Sequence, residues 1–376
     1  MTLRFVRKED DGIPKGDDGV SGEAEKMKRV IGIIAVLFMF AGCVHFQTGA
    51  AGDGQIVAAV DQGTSYLKRA VNEARYHLAC RASDGSACPV HATGHVFTGF
   101  FIADAIGSEL SPAERQKIMA RMDREKRQGV WGYMPYAPVD SDDTAFVIRT
   151  YRILGRDVAA DNLLRFYDKE AKAFTTFDGR GTAALVFEPS VDANYGLHPE
   201  VNANIFTLLA DTPLSGLINE DLIIRSQDPQ GWWRSYFYPG RYYATAMNLT
   251  LLCKTKKGED ARAKGIVFLQ SSQNPDGSWG RGVYETSLAL TALAACGVCD
   301  HAFRKGITWL IGQQNPDGSW REEGAPLWEY VFRDLPPVIW RAYDTDGVVT
   351  TALAVSALKR AQRGVEGSKV LQRVME

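Results

Sequence analysis

Two kinds of apolar pattern alternate along most of this chain. One is amphipathic and ends in Leu-x-x-x-Gln before a turn, as in 264–280 and 305–321. The other is rich in small and apolar residues on every side, as in YETSLALTALAAC at 284–296. The first pattern predicts a helix with one solvated face, and the second predicts a helix that is buried all round. We therefore expect outer helices to alternate with inner helices.

A repeat accounts for this alternation. KGIVFLQSSQNPDGSWG at 264–280 recurs as KGITWLIGQQNPDGSWR, which begins 41 residues later, and weaker copies lie at 222–233 and 127–133. A period near 40 residues is typical of stacked helix pairs. In the turn of each strong copy, proline fixes φ and glycine accepts conformations that other residues avoid. Trp279 and Trp320 follow the turns, and we expect both to be buried plugs between paired helices.

The same two-helix unit fits the chain six times. The first helices are expected near 58–80, 112–123, 157–170, 215–227, 260–273 and 302–314. Their partners are expected to start near His95, Asp142, His198, Tyr242, Tyr284 and Asp346. The partners are richer in small and apolar residues, so they should form the inner ring. The predicted fold is all-α: a single (α/α)6 toroid of six helical hairpins over residues 58–365, followed by a tail at 366–376.

The segments before the toroid have a different character. Residues 1–26 form a polar leader, which is disordered or wrongly assigned if Met27 is the true start. Residues 27–43 combine a basic pair, an apolar run and small residues, as a secretory signal does. The ending FAGC resembles a bacterial lipobox, which implies lipidation of Cys43 and an exported, membrane-anchored protein of the cell envelope. An uncleaved anchor helix is the alternative; residues 44–57 are the linker in either case.

Composition excludes several classes of function. The 376 residues are 45% hydrophobic with a formal net charge of −2, so no charge bias indicates nucleic-acid binding. The sequence has no zinc-finger spacing, no glycine-rich phosphate loop and no His-Glu-x-x-His motif. No cofactor and no metal are therefore expected.

The cysteines beyond Cys43 suggest disulfides more than metal ligands. Cys80 and Cys88 flank a short Ser/Gly loop and could pair in an oxidising compartment. Cys296 and Cys299 form a C-x-x-C without a second Cys/His pair at zinc spacing, so a local disulfide or two buried thiols are expected. Cys253 lies on an apolar helix face and is expected in the core.

The QNPDGSW repeats resemble the QW motifs of squalene–hopene cyclases and of the related prenyltransferase toroids. The resemblance covers about residues 58–360. It implies the toroid fold and says less about activity, because those cyclases carry two toroids and this chain has one.

In such a toroid every inner helix starts at the same rim, where polar and aromatic residues of this chain should converge. The polar set is Asp140, Asp142, Asp143, Glu200, Asn202, Asn204, Thr245, Asn248, Glu285, Thr286, Asp344 and Asp346. The aromatic residues expected to contact a substrate are Trp131, Tyr133, Tyr136, Trp232, Tyr242, Tyr243 and Trp340. These sets predict an apolar, aromatic-lined cavity with acids at its mouth.

DSDDTA at 140–145 places three aspartates within four positions at the start of an inner helix. Helix capping explains one or two of them. Crowding and burial should raise the pKa of at least one carboxyl group, as general-acid catalysis requires. The stretch also resembles the Asp-x-Asp-Asp-Thr-Ala motif of class II terpene cyclases. That resemblance implies that Asp142 protonates an alkene, that Asp140 and Asp143 tune it, and that Asn204 replaces the histidine that holds the acid in hopene cyclases.

Three functions remain open at this point. The first is a cyclase-like isomerase or lyase that protonates an isoprenoid alkene with Asp142. The second is a non-catalytic toroid that binds a lipid or a partner protein at the cell envelope. The third is a carbohydrate-active enzyme with paired carboxylates, in which Glu200 or Asp346 would lie opposite Asp142. A dry aromatic pocket would favour the first, a shallow groove the second, and an open cleft with two exposed carboxylates the third.

Overall fold

The computed structural model describes residues 52–83, 85, 92–133, 138–178, 196–322, 324–331 and 339–375. The predicted leader, signal and Cys43 lie outside these residues, as do Cys88 and Tyr136. Within the described ranges, no helix is both long enough and apolar enough to cross a membrane.

Helices dominate the described part of the chain. The α-helices are α1 (Asp53–Asn72), α2 (His95–Ile106), α3 (Pro112–Glu125), α4 (Ser141–Ile153), α5 (Pro199–Leu209), α6 (Glu220–Arg225), α7 (Tyr242–Thr255), α8 (Glu259–Ser271), α9 (Val283–Ala295), α10 (His301–Gly312) and α11 (Val348–Met375). Two 3-10 helices, Asp161–Phe166 and Pro213–Leu217, lie between α4 and α6.

These helices form two concentric rings. In the inner ring, α2, α4, α5, α7, α9 and α11 each pack against the next, and α11 packs against α2 to close the circle. The outer members of the hairpins are α1, α3, the 3-10 helix Asp161–Phe166, α6, α8 and α10. The prediction of an all-α toroid of six hairpins is confirmed, with inner helices that start within two residues of the predicted positions.

The outer ring departs from the prediction in three places, one of which is the fourth hairpin, where the expected helix over 215–227 is a 3-10 helix, Pro213–Leu217, followed by the six-residue α6. The first helix spans Asp53–Asn72 rather than 58–80, so it begins inside the segment predicted to be linker. The outer element of the third hairpin is a six-residue 3-10 helix rather than a helix over 157–170. Periodicity locates an outer helix only where a full apolar stripe exists, and short outer elements do not provide one. At the other end, α11 continues through the predicted tail to Met375.

A small antiparallel sheet, which the sequence did not predict, covers part of the rim. Its strands are β1 (Leu78–Ala82), β2 (Ala92–Thr93), β5 (Trp328–Val331) and β6 (Ile339–Tyr343), in the order β2-β1-β6-β5. A second pair, β3 (Tyr167–Asp168) and β4 (Ala173–Phe174), belongs to the third hairpin. The four-stranded sheet joins loops of the first and last hairpins at the end of the ring where the inner helices start.

The repeated tryptophans are buried between paired helices, as predicted. Trp279 and Trp320 are 0% exposed. The indole Nε1 of Trp279 donates to the carbonyl of Leu269 at 2.6 Å, and its backbone N–H donates to Thr286 Oγ1 at 2.8 Å. Each plug therefore ties the end of an outer helix to the start of its inner partner.

The repeated glutamines connect each hairpin to the next. Gln273 Nε2 donates to the carbonyl of Ala302, in the first turn of α10, at 2.7 Å. In the last repeat, Gln314 Nε2 donates to the carbonyl of Ala59 in α1 at 2.9 Å. This bond satisfies a buried amide and closes the outer ring between the sixth hairpin and the first.

The disulfide pattern corrects two predictions. Cys253 in α7 is bonded to Cys296 at the end of α9, with the Cα atoms 5.2 Å apart. For Cys296, both expected alternatives, a local bridge to Cys299 and a buried thiol, are therefore wrong, whereas Cys299 is a buried thiol. Cys253 is a bridging residue rather than an unbonded core thiol. The reason is tertiary: α7 and α9 are neighbours in the inner ring, so their carboxyl ends meet. Cys80 is also disulfide-bonded.

Removing the Cys253–Cys296 bond should lower the free energy of unfolding by about 2–4 kcal/mol. The bond spans a sequence separation of 43, and opening that loop restores entropy to the unfolded chain. We expect this loss in urea unfolding of the Cys253→Ala/Cys296→Ala double variant, with Cys299→Ala as the matched control that removes an unbridged thiol. Peptide mapping of unreduced protein should recover the two segments linked, and thiol labelling of both residues in the native protein would contradict the assignment.

Candidate active site

Asp140 is the N-cap of α4, and its Oδ1 accepts a hydrogen bond from the backbone N–H of Asp143 at 2.7 Å. This is the ordinary role of an aspartate at a helix start, since it satisfies an amide that has no partner within the helix. Capping therefore explains Asp140 and leaves Asp142 and Asp143 unexplained.

The helix start is fixed by the eroded repeat around Trp131. Trp131 is fully buried, and its indole donates to the carbonyl of Met122 at 2.8 Å, as the other plugs do to theirs. The carbonyl of Trp131 accepts from the backbone N–H of Asp140 at 2.9 Å, and its N–H donates to Thr144 Oγ1 at 3.1 Å. The threonine of DSDDTA is thus part of the scaffold, equivalent to Thr286 in the fifth hairpin. This role of Thr144 was not predicted from the sequence, although an alignment of the inner helices on their tryptophans places Thr144 and Thr286 in comparable positions.

Asp142 is held by the next inner helix. Asn204 Nδ2 donates to Asp142 Oδ1 at 2.7 Å, so Asn204 lies beside the acid as the sequence analysis expected. The other oxygen, Oδ2, has no hydrogen-bond partner among the described residues, and the side chain of Asp142 is partly exposed to the cavity described below. Arg149 in turn donates from Nη1 to Asn204 Oδ1 at 2.6 Å.

The three carboxyl groups share one buried environment that favours their neutral forms. Burial raises the pKa of Asp142 well above its usual range, and the nearby charge of Asp140 raises it further. Burial and Asp140 also raise the pKa of Asp143 well above its usual range. Burial raises the pKa of Asp140 to about 6, against the lowering effect of its hydrogen bonds with Asp143. Burial and mutual repulsion therefore favour the neutral form of Asp142 more strongly than that of Asp140.

These acids face a cavity lined by aromatic rings. The pocket holds about 530 Å³ of space between atoms, part of it open to solvent. Its lining residues are Phe97, Tyr133, Pro138, Asp140, Asp142, Asp143, Thr176, Phe177, Phe237, Tyr238 and Trp328. Apart from the aspartates, the wall is almost entirely apolar, which matches a dry pocket rather than a sugar-binding cleft.

Stacked rings stiffen part of the cavity wall. Tyr238 stacks on Tyr243 with ring centroids 3.5 Å apart, and it also stacks with Phe97 at 5.9 Å. Trp328 donates from Nε1 to the hydroxyl of Tyr133 at 2.7 Å, which joins the sheet to the loop before α4. The cavity wall is therefore built jointly by inner helices, rim loops and the sheet.

The predicted aromatic residues occupy several different places. Tyr133 lines the cavity, and Tyr243 lies directly behind the lining residue Tyr238. Trp131 is a repeat plug, and Tyr242 packs on Phe268 of α8. Trp232 lies in a separate rim groove beneath Arg241, and Trp340 belongs to β6. The last four are not among the residues that line the acid cavity.

Five aromatic residues line the cavity but were not predicted from the sequence to contact a substrate: Phe97, Phe177, Phe237, Tyr238 and Trp328. Phe97 is in the first turn of an inner helix, where the rim rule could have found it. The others lie on loops or the sheet, whose positions no helical pattern indicates.

The remaining rim acids have structural partners. Glu200 Oε1 accepts from the backbone N–H of Tyr236 at 2.6 Å, and Asp344 accepts from the N–H groups of Val348 and Thr350 at 2.8 Å each. The carbonyl of Asp346 accepts from the hydroxyl of Tyr66. Neither Glu200 nor Asp346 lines the cavity with Asp142. In the described ranges, no group of three or more His, Cys, Asp or Glu residues could hold a metal ion.

Comparison with known proteins matches this fold and part of the sequence to terpene cyclases. Residues 237–366 match the family model of the squalene-hopene cyclase C-terminal domain. The chain is 29% identical over 157 residues to an ent-copalyl diphosphate synthase of Streptomyces sp., covering 39% of this chain and 28% of that protein. It is 30% identical over 169 residues to an uncharacterised protein, y4kT, of Sinorhizobium fredii, covering 44% of this chain and 29% of that protein. The matches thus span under a third of these relatives' lengths.

Solved structures share the fold over most of the chain. Type II terpene cyclase MstE from Scytonema, in complex with its substrate geranylgeranyl dihydroxybenzoate, superposes with a TM-score of 0.65 at 17% identity, covering 83% of this chain and 98% of that one. An ent-copalyl diphosphate synthase from Streptomyces platensis gives a TM-score of 0.55 at 20% identity, covering 73% and 52%. The fold is therefore that of class II terpene cyclases, and one toroid is nearly the whole of the Scytonema chain.

Proposed function

We propose that this protein is a class II terpene cyclase-type enzyme in which Asp142 protonates an alkene of an isoprenoid substrate. The observation that carries the proposal is the environment of Asp142. Burial and the charge of Asp140 raise the pKa of its carboxyl group well above the usual range, and this side chain lines an aromatic cavity while Asn204 holds one of its two oxygens. A neutral acid beside an ionised carboxylate, in contact with an apolar pocket, has the properties of a general acid.

The step itself is a proton transfer to carbon. The O–H bond of Asp142 breaks, a C–H bond forms at one alkene carbon, and the other alkene carbon becomes a carbocation. Asp142 is left as a carboxylate. Attack by further alkenes of the chain closes rings, and the reaction ends when the last cation loses a proton or is captured by water. Asp142 regains a proton from solvent before the next turnover.

The aromatic wall is suited to the cationic intermediates. Ring faces carry negative electrostatic potential and attract a cation by about 0.5–2 kcal/mol each when water is excluded. Phe97 and Tyr238 line the same cavity as Asp142, and neither offers a nucleophile comparable to a carboxylate or a thiol. Such a wall stabilises positive charge without trapping it covalently.

An isoprenoid is the substrate class that these features favour. The pocket is apolar, and the Scytonema cyclase of the same fold was solved with a geranylgeranyl compound. That chain is spanned almost completely by one toroid, which supports the idea that a single toroid suffices for this chemistry.

We also propose that lipidation at Cys43 anchors the protein to a membrane of the cell envelope, where lipid-soluble substrates partition.

The two other functions find less support. A carbohydrate-active enzyme needs two carboxylates across a polar cleft, and neither Glu200 nor Asp346 lines the cavity with Asp142. A lipid-binding module without chemistry would explain the pocket, but it would not require in its wall an acid whose pKa is raised well above the usual range. That acid is the reason to prefer an enzyme.

Cyclisation in D₂O tests the proposal. Purified protein would be incubated with linear isoprenoid alcohols, diphosphates and aryl conjugates of several lengths, and ring products would be sought by gas chromatography with mass spectrometry. We expect each ring product to carry one non-exchangeable deuterium at the carbon protonated first. Ring products without deuterium would indicate that the reaction starts by ionisation of a leaving group. A bound lipid that copurifies, with no product from any substrate, would favour the binding module.

A further inference from the structure

Arg149 is an unusual residue to find between inner helices. It lies two turns after Asp142 in α4, with its guanidinium carbon 4.5 Å from the ring centroid of Phe100 in α2. Its Nη1 donates to Asn204 Oδ1 in α5 at 2.6 Å. Three inner helices therefore meet at this one side chain.

The hydrogen-bond chemistry makes the orientation of Asn204 unambiguous. A guanidinium group only donates, so the atom of Asn204 that faces it must be the carbonyl oxygen. The amide NH₂ must then point the other way, where it donates to Asp142 Oδ1 at 2.7 Å. Because Oδ1 accepts this bond, the carboxyl proton is directed to Oδ2, the oxygen without a partner.

We propose that Arg149 is a positioning residue for the acid: through Asn204 it directs the proton to Oδ2 of Asp142 and stabilises the carboxylate that remains after proton transfer. The inference rests on the proposed function. Arg149 does not touch the cavity, since it is not among the lining residues. It supplies the positive charge that the asparagine itself cannot supply.

Asp142 is surrounded by acidic groups, a tyrosine hydroxyl and the cation Arg149. Asp142 faces Asp140 and Asp143 on its own helix, Glu200 on α5 and the Tyr243 hydroxyl on α7. The hydrogen bond from Asn204 lowers the pKa of Asp142, and the positive charge of Arg149 lowers it by a smaller amount.

The pKa of Arg149 is itself affected by charges on α2 and α11. Burial lowers its pKa, and the charge of Asp104 in α2 raises it, while Arg360 in α11 lowers it. Ser356 donates to Asp104 Oδ2 at 3.0 Å, which fixes that carboxylate. The guanidinium stays charged under any physiological condition, because even a lowered arginine pKa lies far above neutrality.

This arrangement reconciles two demands on an acid that protonates an alkene. The resting acid must hold its proton, which burial favours, and it must also be strong, which requires a stabilised conjugate base. Arg149 and Asn204 stabilise that conjugate base, because they lower the cost of leaving a negative charge at Asp142.

The test compares Arg149→Met with Arg149→Lys and with Arg152→Met. Methionine keeps most of the apolar stem of Arg149, and lysine keeps the charge. Arg152 is on the same helix, its guanidinium donates to the carbonyl of Val158, and it serves as the matched control for losing an arginine. In Arg149→Met we expect the plateau of kcat/KM for cyclisation to fall by about 10–100-fold, as when other groups that orient a reacting residue are removed. Arg152→Met should retain the wild-type value.

The pH profile separates an electrostatic role from a merely structural one. Loss of the positive charge destabilises the carboxylate, so the pKa of Asp142 rises and the acid stays protonated to higher pH. The basic limb of kcat/KM should therefore move upward in Arg149→Met, although the plateau is lower. It should stay near the wild-type position in Arg149→Lys. A lower plateau with an unmoved limb in Arg149→Met would overturn the proposal.

A measurement without substrate keeps this inference distinct from the proposed function. The infrared band of the protonated Asp142 carboxyl group, isolated as wild type minus Asp142→Asn, can be titrated directly. Its midpoint should rise in the Arg149→Met background, and by less when Asn204→Ala is also present. A raised midpoint in a protein that cyclises nothing would refute the proposed function and leave the charge coupling intact. An unchanged midpoint, in a variant that melts cooperatively, would refute the coupling.

Discussion

Asp142→Asn is expected to abolish cyclisation while leaving the fold intact. Asparagine has nearly the same shape as protonated aspartic acid, so the pocket should keep its geometry. An amide N–H is not an acid, so the proton that starts the reaction is lost. Positioned proton transfer alone contributes about 10²–10⁴-fold to catalysis, and the loss should reach at least that size. The measurement is the initial rate of ring products from the best linear isoprenoid, by gas chromatography.

The alternative is that Asp142 has only a structural role at the start of a helix. An aspartate that caps another helix provides the matched control. Asp300 caps α10, where its Oδ1 accepts from the backbone N–H of Phe303 at 2.9 Å, and it lies outside the cavity. Asparagine caps helices about as well as aspartate, so Asp300→Asn should change neither stability nor rate appreciably. If Asp142→Asn behaved like Asp300→Asn, with wild-type rates and a small effect on melting, Asp142 would be a structural residue and the proposed function would fail.

Trp279→Ala should lower the free energy of unfolding by about 3–5 kcal/mol, the range for truncating a well-packed large aromatic side chain. Trp279 is 0% exposed. Its ring lies against Gly306 of the next outer helix, where an added methyl group would collide with it. Truncation would leave a cavity between two hairpins and remove the partner of the Leu269 carbonyl. Urea unfolding followed by circular dichroism measures the loss.

Two companion variants make this prediction specific. Trp232→Ala removes an indole of the same size that is only partly buried in the rim groove, so it should cost clearly less. Trp320→Ala removes the equivalent plug at the junction of the sixth and first hairpins, and it should cost about as much as Trp279→Ala. Equal, small losses in all three would mean that the repeat tryptophans do not hold neighbouring hairpins together.

Local sequence patterns were enough to predict the fold and to place DSDDTA at the start of an inner helix. The spacing of the QNPDGSW repeats and the alternation of amphipathic and apolar segments located six inner helices within two residues of their observed starts. These features are local: a turn, a helix face and a plug are each encoded by residues less than about 20 positions apart. The contact between Asn204 and Asp142 was implied by the resemblance to hopene cyclases, in which a histidine of the next inner helix holds the acid, and the structure has the two side chains 2.7 Å apart.

Only the tertiary structure decided what surrounds the acid. Trp328 reaches the cavity through a sheet that pairs segments more than 200 residues apart, and the Cys253–Cys296 bond depends on which inner helices are neighbours. In the sequence, nothing distinguishes Arg149 from other arginines on helices. Its role is indicated by its hydrogen bond to Asn204 and by the charge of Asp104, which lie on two other helices. Such contacts arise from long-range packing. Periodicity sets which face of a helix is buried, and the closure of the ring sets which side chains meet there.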